Sequence, residues 1–227
     1  NSVLDAHGTA DTVVAGGGNA TLFGGGDDTL LVGGAGADTL VGGGGAITLA
    51  GGSGGSLMFA GSDDGNFLGG IGHDTIVSGA GAVTVRASGS ALVFGGSGGL
   101  TFIGGSGGST VVAGSGNATV TAGSGADAIW GGKGADVLQA GSGNATLSGG
   151  AGGDLFGFTA GQAGGNDVIG DFLSGTDHVH LQGYGGSAVA DALAGAVTAN
   201  GNTTITLGDG THIAFLNVAS LAATDFV

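Results

Sequence analysis

All 17 acidic residues of this 227-residue chain are aspartate, and only two cations, Arg86 and Lys133, stand against them. Aspartate has a short side chain. It suits tight turns, where it reaches nearby backbone, and compact metal loops, where hard oxygens surround an ion. Asp11, Asp38, Asp74, Asp127, Asp136 and Asp154 share one position of a nine-residue period. Asp27, Asp28, Asp63 and Asp64 fall one or two places early, and no acid lies between Gly79 and Ala122. Other chemistry is thinly represented. His178 and His180 share one face of a predicted strand and suit zinc, but no third ligand is in view, so hydrogen-bonded strand histidines fit better. His73 reads as a residue of a solvated turn. Asp63-Asp64-Gly65 lacks the spacing and final Glu of an EF-hand. Gly-x-Gly runs recur as turns and mark no phosphate loop. No Ser/His/Asp set stands out. The Asn-Ala-Thr triplets at Asn19, Asn117 and Asn144 match a glycosylation acceptor, yet they recur in turns and read as structural.

The elements that position these residues follow from the period. From His7 to Phe158 the chain divides into nine-residue units, with one single-residue deletion between Ser88 and Gly95. We number each unit as in Gly34–Gly42, Gly-Ala-Gly-Ala-Asp-Thr-Leu-Val-Gly. Position seven is then apolar throughout: Val13, Leu22, Leu31, Leu40, Leu49, Met58, Phe67, Ile76, Val85, Val93, Phe102, Val111, Val120, Ile129, Leu138, Leu147 and Phe156. Position nine is Gly, Ala or Ser until Phe158, and positions one to four are glycine-rich turns. A strand alternates its faces, so position seven points inward and positions six and eight outward. Two units make one coil of strand, turn, strand, turn. Alternate units stack into two parallel sheets, and at about 4.8 Å per coil they form a rod roughly 40 Å long.

Composition removes several classes of function. A formal net charge of −15 leaves nothing to neutralise phosphates, so nucleic acid is excluded as a partner and an anionic membrane surface would repel the chain. No apolar run approaches the ~20 residues of a transmembrane helix. Sixty glycines without order would suggest a flexible chain, but here the apolar residues keep strict register. With no cysteine, ions rather than disulfides would be the staples of a secreted chain. The start at Asn1, without Met or a secretion leader, reads as a piece of a longer or processed protein.

The units Gly33-Gly34-Ala35-Gly36-Ala37-Asp38-Thr39-Leu40 and Gly131-Gly132-Lys133-Gly134-Ala135-Asp136-Val137-Leu138 resemble the repeat-in-toxin (RTX) nonapeptide of hemolysin-type proteins. Partial matches occur at Gly72–Ile76 and Gly123–Asp127. The resemblance implies an all-β fold: a right-handed parallel β-roll, or β-solenoid, over residues 1–158. It also implies calcium as cofactor, held between stacked turns by glycine-loop carbonyls and by carboxylates from units two apart. On that basis the candidate ligands are Asp136 with Asp154, and Asp11 with Asp28. Gly132, Gly134, Gly150 and Gly152 belong to the same loops, and Asp38, Asp74, Asp127 and Asp171 complete the set. Position five is otherwise Ala20, Thr29, Ile47, Ser56, Gly65, Val83, Leu100, Ser109, Ala118 or Ala145. The expectation is two acidic ends and a calcium-free middle, the alternative being aspartates that only cap turns.

After Phe158 the period is lost. Residues 159–227 resemble the small β-rich cap and type I secretion signal that follow the roll in serralysin-type and other RTX proteins. The resemblance makes Asp167 or Asp171 a helper for a last calcium and Thr224–Val227 part of the export signal. A helix is predicted from Ser187 to Ala194, and a hairpin from Thr203–Leu207 and Thr211–Phe215. One reading of the whole is a non-catalytic secreted module. It leaves through a type I exporter, folds on calcium outside the cell, and belongs to a larger protein with an upstream domain. The other is a cell-surface adhesin, S-layer or biofilm-matrix component, self-associating through an outward apolar stripe: Phe23, Val41, Phe59, Val77, Phe94, Val112 and Trp130. Ice binding by the Thr/Val array is a remote third reading, and strand propensity alone also accounts for the array.

Overall fold

The computed structural model describes all residues, Asn1–Val227. Parallel coils stack into a β-solenoid of about nine turns. As far as Gln182 the chain alternates between a 13-stranded and a 10-stranded sheet, and each strand pairs with the strands of the neighbouring coils. Register places position seven on position seven: Leu22 lies beside Leu40, Leu40 beside Met58, and Met58 beside Ile76. From Leu22 to Phe156 every position-seven side chain is fully buried, and only Val13, near the open end, is half-exposed.

Strand alternation buries a second row as well. Ile47, Val83 and Leu100 show that position five also faces the interior. The position-five aspartates are therefore buried: Asp38, Asp74, Asp127, Asp136 and Asp154 are all 3% exposed or less. The single-residue deletion leaves the sheet in register, with Val93 beside both Ile76 and Val111, so the turn before Ser90 absorbs it. Position one needs glycine because turns pack directly upon turns. A Cβ on Gly52 would collide with the Gly34 carbonyl oxygen, and one on Gly34 with that of Gly16.

The period ends at Phe158 but the parallel stacking continues. Asn166–Ile169 lies on Ala145–Ala151, and His178–Gln182 lies on Leu155–Thr159. A short helix spans Ala188–Ala194. A hairpin, Asn202–Thr206 with His212–Phe215, then continues the longer sheet, its second arm pairing parallel with Asn166–Ile169. The last strand of the other sheet is covered by the C-terminal tail. Val179 bridges Phe226, and the Val227 N–H donates to the Val179 carbonyl at 3.0 Å. Phe172 closes the core between Phe156 and Phe215, with ring centroids 6.1 and 5.2 Å away.

Candidate calcium site

Each coil has two edges, which differ in their buried position-five rows. On the first edge the chain passes from the longer sheet to the shorter, and the row runs Asp11, Thr29, Ile47, Gly65, Val83, Leu100, Ala118, Asp136, Asp154. Asp177 extends it, since His178 stacks on Leu155. Three carboxylates therefore lie in consecutive coils at the C-terminal end. On the second edge the row is Ala20, Asp38, Ser56, Asp74, Ala91, Ser109, Asp127, Ala145, Asp167, with no two carboxylates adjacent.

The turns at Asp136 and Asp154 are open. Gly132, Gly134, Gly150 and Gly152 take φ of 105°, 123°, 98° and 141°, a region that favours glycine. The strands Asp127–Lys133 and Ala145–Ala151 run on into these turns, pairing Gly132 with Gly150. One oxygen of Asp136 accepts the Ala118 N–H at 2.6 Å, and one oxygen of Asp154 accepts the Asp136 N–H at 2.9 Å. The second oxygen of each, Oδ2, is buried with no hydrogen-bond partner. Each of these lies where a side chain on Gly131 or Gly149 would sit. Asp171 borders the site and accepts the N–H groups of Gly149 and Gly150, both at 2.9 Å. Asp177 accepts those of Asp154 at 3.0 Å and Leu173 at 2.8 Å.

The electrostatics are those of buried carboxylates that repel one another. Burial pushes the Asp154 carboxyl up to about 6; the Asp136 N–H opposes this, while the charges of Asp136, Asp177 and Asp171 add to it. Burial also raises Asp136, against the bond from Ala118. No lysine or arginine pairs with any of these groups; the one histidine–aspartate ion-pair contact within 4 Å is His7 to Asp5 at 3.9 Å. Orphaned, buried, negatively charged hard oxygens under glycine turns fit calcium. No three His, Asp, Glu or Cys side chains converge on one point. Glycine-loop carbonyls would have to supply the remaining ligands.

The other candidate residues are placed differently. Asp11 is half-buried and accepts the Gly8 N–H at 2.7 Å. Thr29, not Asp28, stacks above it, because Leu30 pairs with Thr12; Asp28 is exposed with φ of 59°. Asp38, Asp74 and Asp127 have both oxygens bound to main-chain N–H groups: Ala20 and Gly34 at 2.8 and 2.7 Å, Ser56 and Gly70 at 2.9 and 2.7 Å, Ser109 and Gly123 at 2.6 and 2.8 Å. The nonapeptide spacing could not reveal Asp177, which stands 23 residues after Asp154 and joins the row only through register. Asp167, on the second edge, accepts the Ala145 N–H at 2.8 Å. Its Oδ2 is orphaned, and burial pushes its carboxyl up to about 7. The Asn-Ala-Thr asparagines are structural: Asn19, Asn117 and Asn144 each accept an N–H from the next coil, of Ala37, Ala135 and Asn166.

Stacked coils, glycine turns and buried aspartates define a calcium-binding solenoid repeat. The family model of the RTX calcium-binding nonapeptide repeat (4 copies) matches residues 1–22, 23–58, 68–99, 103–138 and 121–156. The chain belongs to this family, and its cofactor is calcium. Such repeats are characteristic of secreted bacterial proteins. No helix is long and apolar enough to cross a membrane. Among solved structures, the extracellular lipase LipA from Serratia marcescens is similar at 13% identity and a TM-score of 0.33, over 80% of this chain and 40% of that one. The chain thus spans less than half the length of that lipase. No curated protein matches the chain.

Proposed function

We propose that this chain is a non-catalytic module of a larger secreted protein, and that calcium completes the folding of its C-terminal end after export through a type I system. The observation that carries this reading is the pair of orphaned, buried Oδ2 atoms of Asp136 and Asp154 on consecutive coils. Bringing these carboxylates together opposes folding while the ion is scarce; calcium removes that opposition and couples binding to folding. Gly132, Gly134, Gly150 and Gly152 shape the loops, with Asp171 and Asp177 bordering the site. The tail Thr224–Val227, read as the export signal, is available only while the last coil is unformed, because the folded chain buries Asp225 and Phe226. The sole tryptophan, Trp130, lies immediately before the first open turn and is 43% exposed. Its fluorescence should therefore shift on titration of the chelated chain with calcium, together with a gain of β circular dichroism. Absence of both changes up to millimolar calcium would reject the proposal.

A second reading is supported by the outer face of the longer sheet. Phe23, Phe94, Val112 and Trp130 are 38%, 41%, 36% and 43% exposed in one stripe. An apolar stripe of this extent suits a surface or matrix component that binds a neighbour. Light scattering separates the two readings: calcium-dependent assembly favours the matrix role, and a monomer favours a partner domain upstream.

A further inference from the structure

We infer that Asp38, Asp74 and Asp127 are intrachain clips standing where the family places calcium ligands, and that the coils from Ala20 to Asp127 hold together without metal. The inference rests on the proposed calcium site only for contrast. Gly33–Asp38 and Gly131–Asp136 carry the same Gly-Gly-x-Gly-x-Asp pattern, yet they fold differently. Gly34 donates its N–H to Asp38 Oδ2 at 2.7 Å, closing the turn. Gly132 instead takes φ of 105°, and Asp136 Oδ2 stays orphaned.

One difference between these two turns is the neighbour one coil away. Asp38 stands between Ala20 and Ser56, whereas Asp136 stands beneath Asp154. A carboxylate alone in its row can turn both oxygens to main-chain donors. Each clip accepts one N–H four residues earlier, in its own turn, and one 18 residues earlier, in the preceding coil. It thereby bridges stacked turns, the task that a calcium ion performs elsewhere in such a fold. A cation placed there would meet one carboxylate with no free oxygen aimed at it, so these sites do not fit calcium. An uncharged side chain fills one gap in the same ladder: Ser109 Oγ accepts the Ala91 N–H at 3.2 Å. One position earlier in its unit, Asn19 Oδ1 makes a separate bridge between coils, accepting the Ala37 N–H at 2.9 Å. On the first edge the middle row, Thr29, Ile47, Gly65, Val83 and Leu100, offers no carboxylate at all.

The test is hydrogen–deuterium exchange of the full chain in excess chelator and in millimolar calcium, with Asp74→Asn alongside. Apart from the Ala118 N–H, which Asp136 of the calcium site accepts, amides between Ala20 and Asp127 should be equally protected in both conditions, and calcium should otherwise slow exchange only beyond Ile129. Asp74→Asn keeps one acceptor oxygen and should speed exchange about tenfold at whichever of Ser56 and Gly70 faces the new NH2 group, the loss expected for one buried charge-assisted bond, whether or not calcium is present. Its calcium stoichiometry by calorimetry should be unchanged. Calcium-dependent protection within Ala20–Asp127 at amides other than Ala118, or one fewer ion bound by Asp74→Asn, would overturn the inference. Protection of those coils with no calcium response anywhere would support the clips while defeating the calcium-site reading.

Discussion

A buried carboxylate is satisfied by a main-chain N–H, a proton or a cation, and this chain uses its aspartates differently according to which is within reach. Asp154 and Asp167 are raised to about 6 and about 7 from 3.8. The calcium-free folded state therefore binds protons more tightly than the unfolded chain does. Its stability should rise as pH falls from about 7, and level off below 3.8, where both states are protonated. Thermal melts in chelator at pH 7.5 and pH 5 should show a higher C-terminal transition at pH 5. In calcium the part of this dependence that comes from Asp154 should disappear, because protons compete with the ion there, while the part from Asp167 remains. Asp154→Asn removes a charge crowded by Asp136, Asp177 and Asp171. Calorimetry should find calcium affinity at least about tenfold weaker, while the melting temperature in chelator is unchanged or higher, since an unpaired buried charge has been removed.

At the scale of one coil, stability comes from two inward rows and from glycine at points of turn-to-turn contact. Phe102 is fully buried between Val85 and Val120. Phe102→Ala should cost about 3–5 kcal/mol by denaturant unfolding, because stacked coils on either side cannot close the cavity. Glycine substitutions should divide by position. Gly52→Ala drives a methyl into the Gly34 carbonyl and should prevent those coils from stacking. Gly17 has open space around its Cβ position and no positive φ, so Gly17→Ala should be neutral or stabilising by about 0.4–1 kcal/mol.

At the scale of the molecule, a solenoid must cover its last coil, because open strand edges invite pairing with other chains. Here the hairpin covers one sheet and the tail the other. Phe226 is 9% exposed against Val179, and Ser174 Oγ donates to buried Asp225 at 2.6 Å. The strand the tail covers, His178–Gln182, directly follows Asp177, the last carboxylate of the acidic row. Phe226→Ala should therefore accelerate hydrogen exchange across His178–Gln182 and leave the coils before Ala118 unchanged. Spread of the loss into those earlier coils would show that the rod melts as one unit.

The sequence by itself determined the solenoid, because a nine-residue period with one apolar position admits few ways of burying that position except by stacking. It also marked the acidic C-terminal end and the acid-free middle, and located the helix and hairpin of the cap to within a residue or two. It could not separate Asp38 from Asp136, which share a motif. That distinction appears only once the coils are stacked, with Ser56 beside Asp38 and Asp154 beside Asp136, each neighbour 18 positions distant in the chain. Nor could it place Asp177, whose 23-residue offset only the register between His178–Gln182 and Leu155–Thr159 resolves. Motif fixes the residue type beneath each turn; stacking decides whether that residue meets an N–H or another charge, and so whether an oxygen is left for calcium.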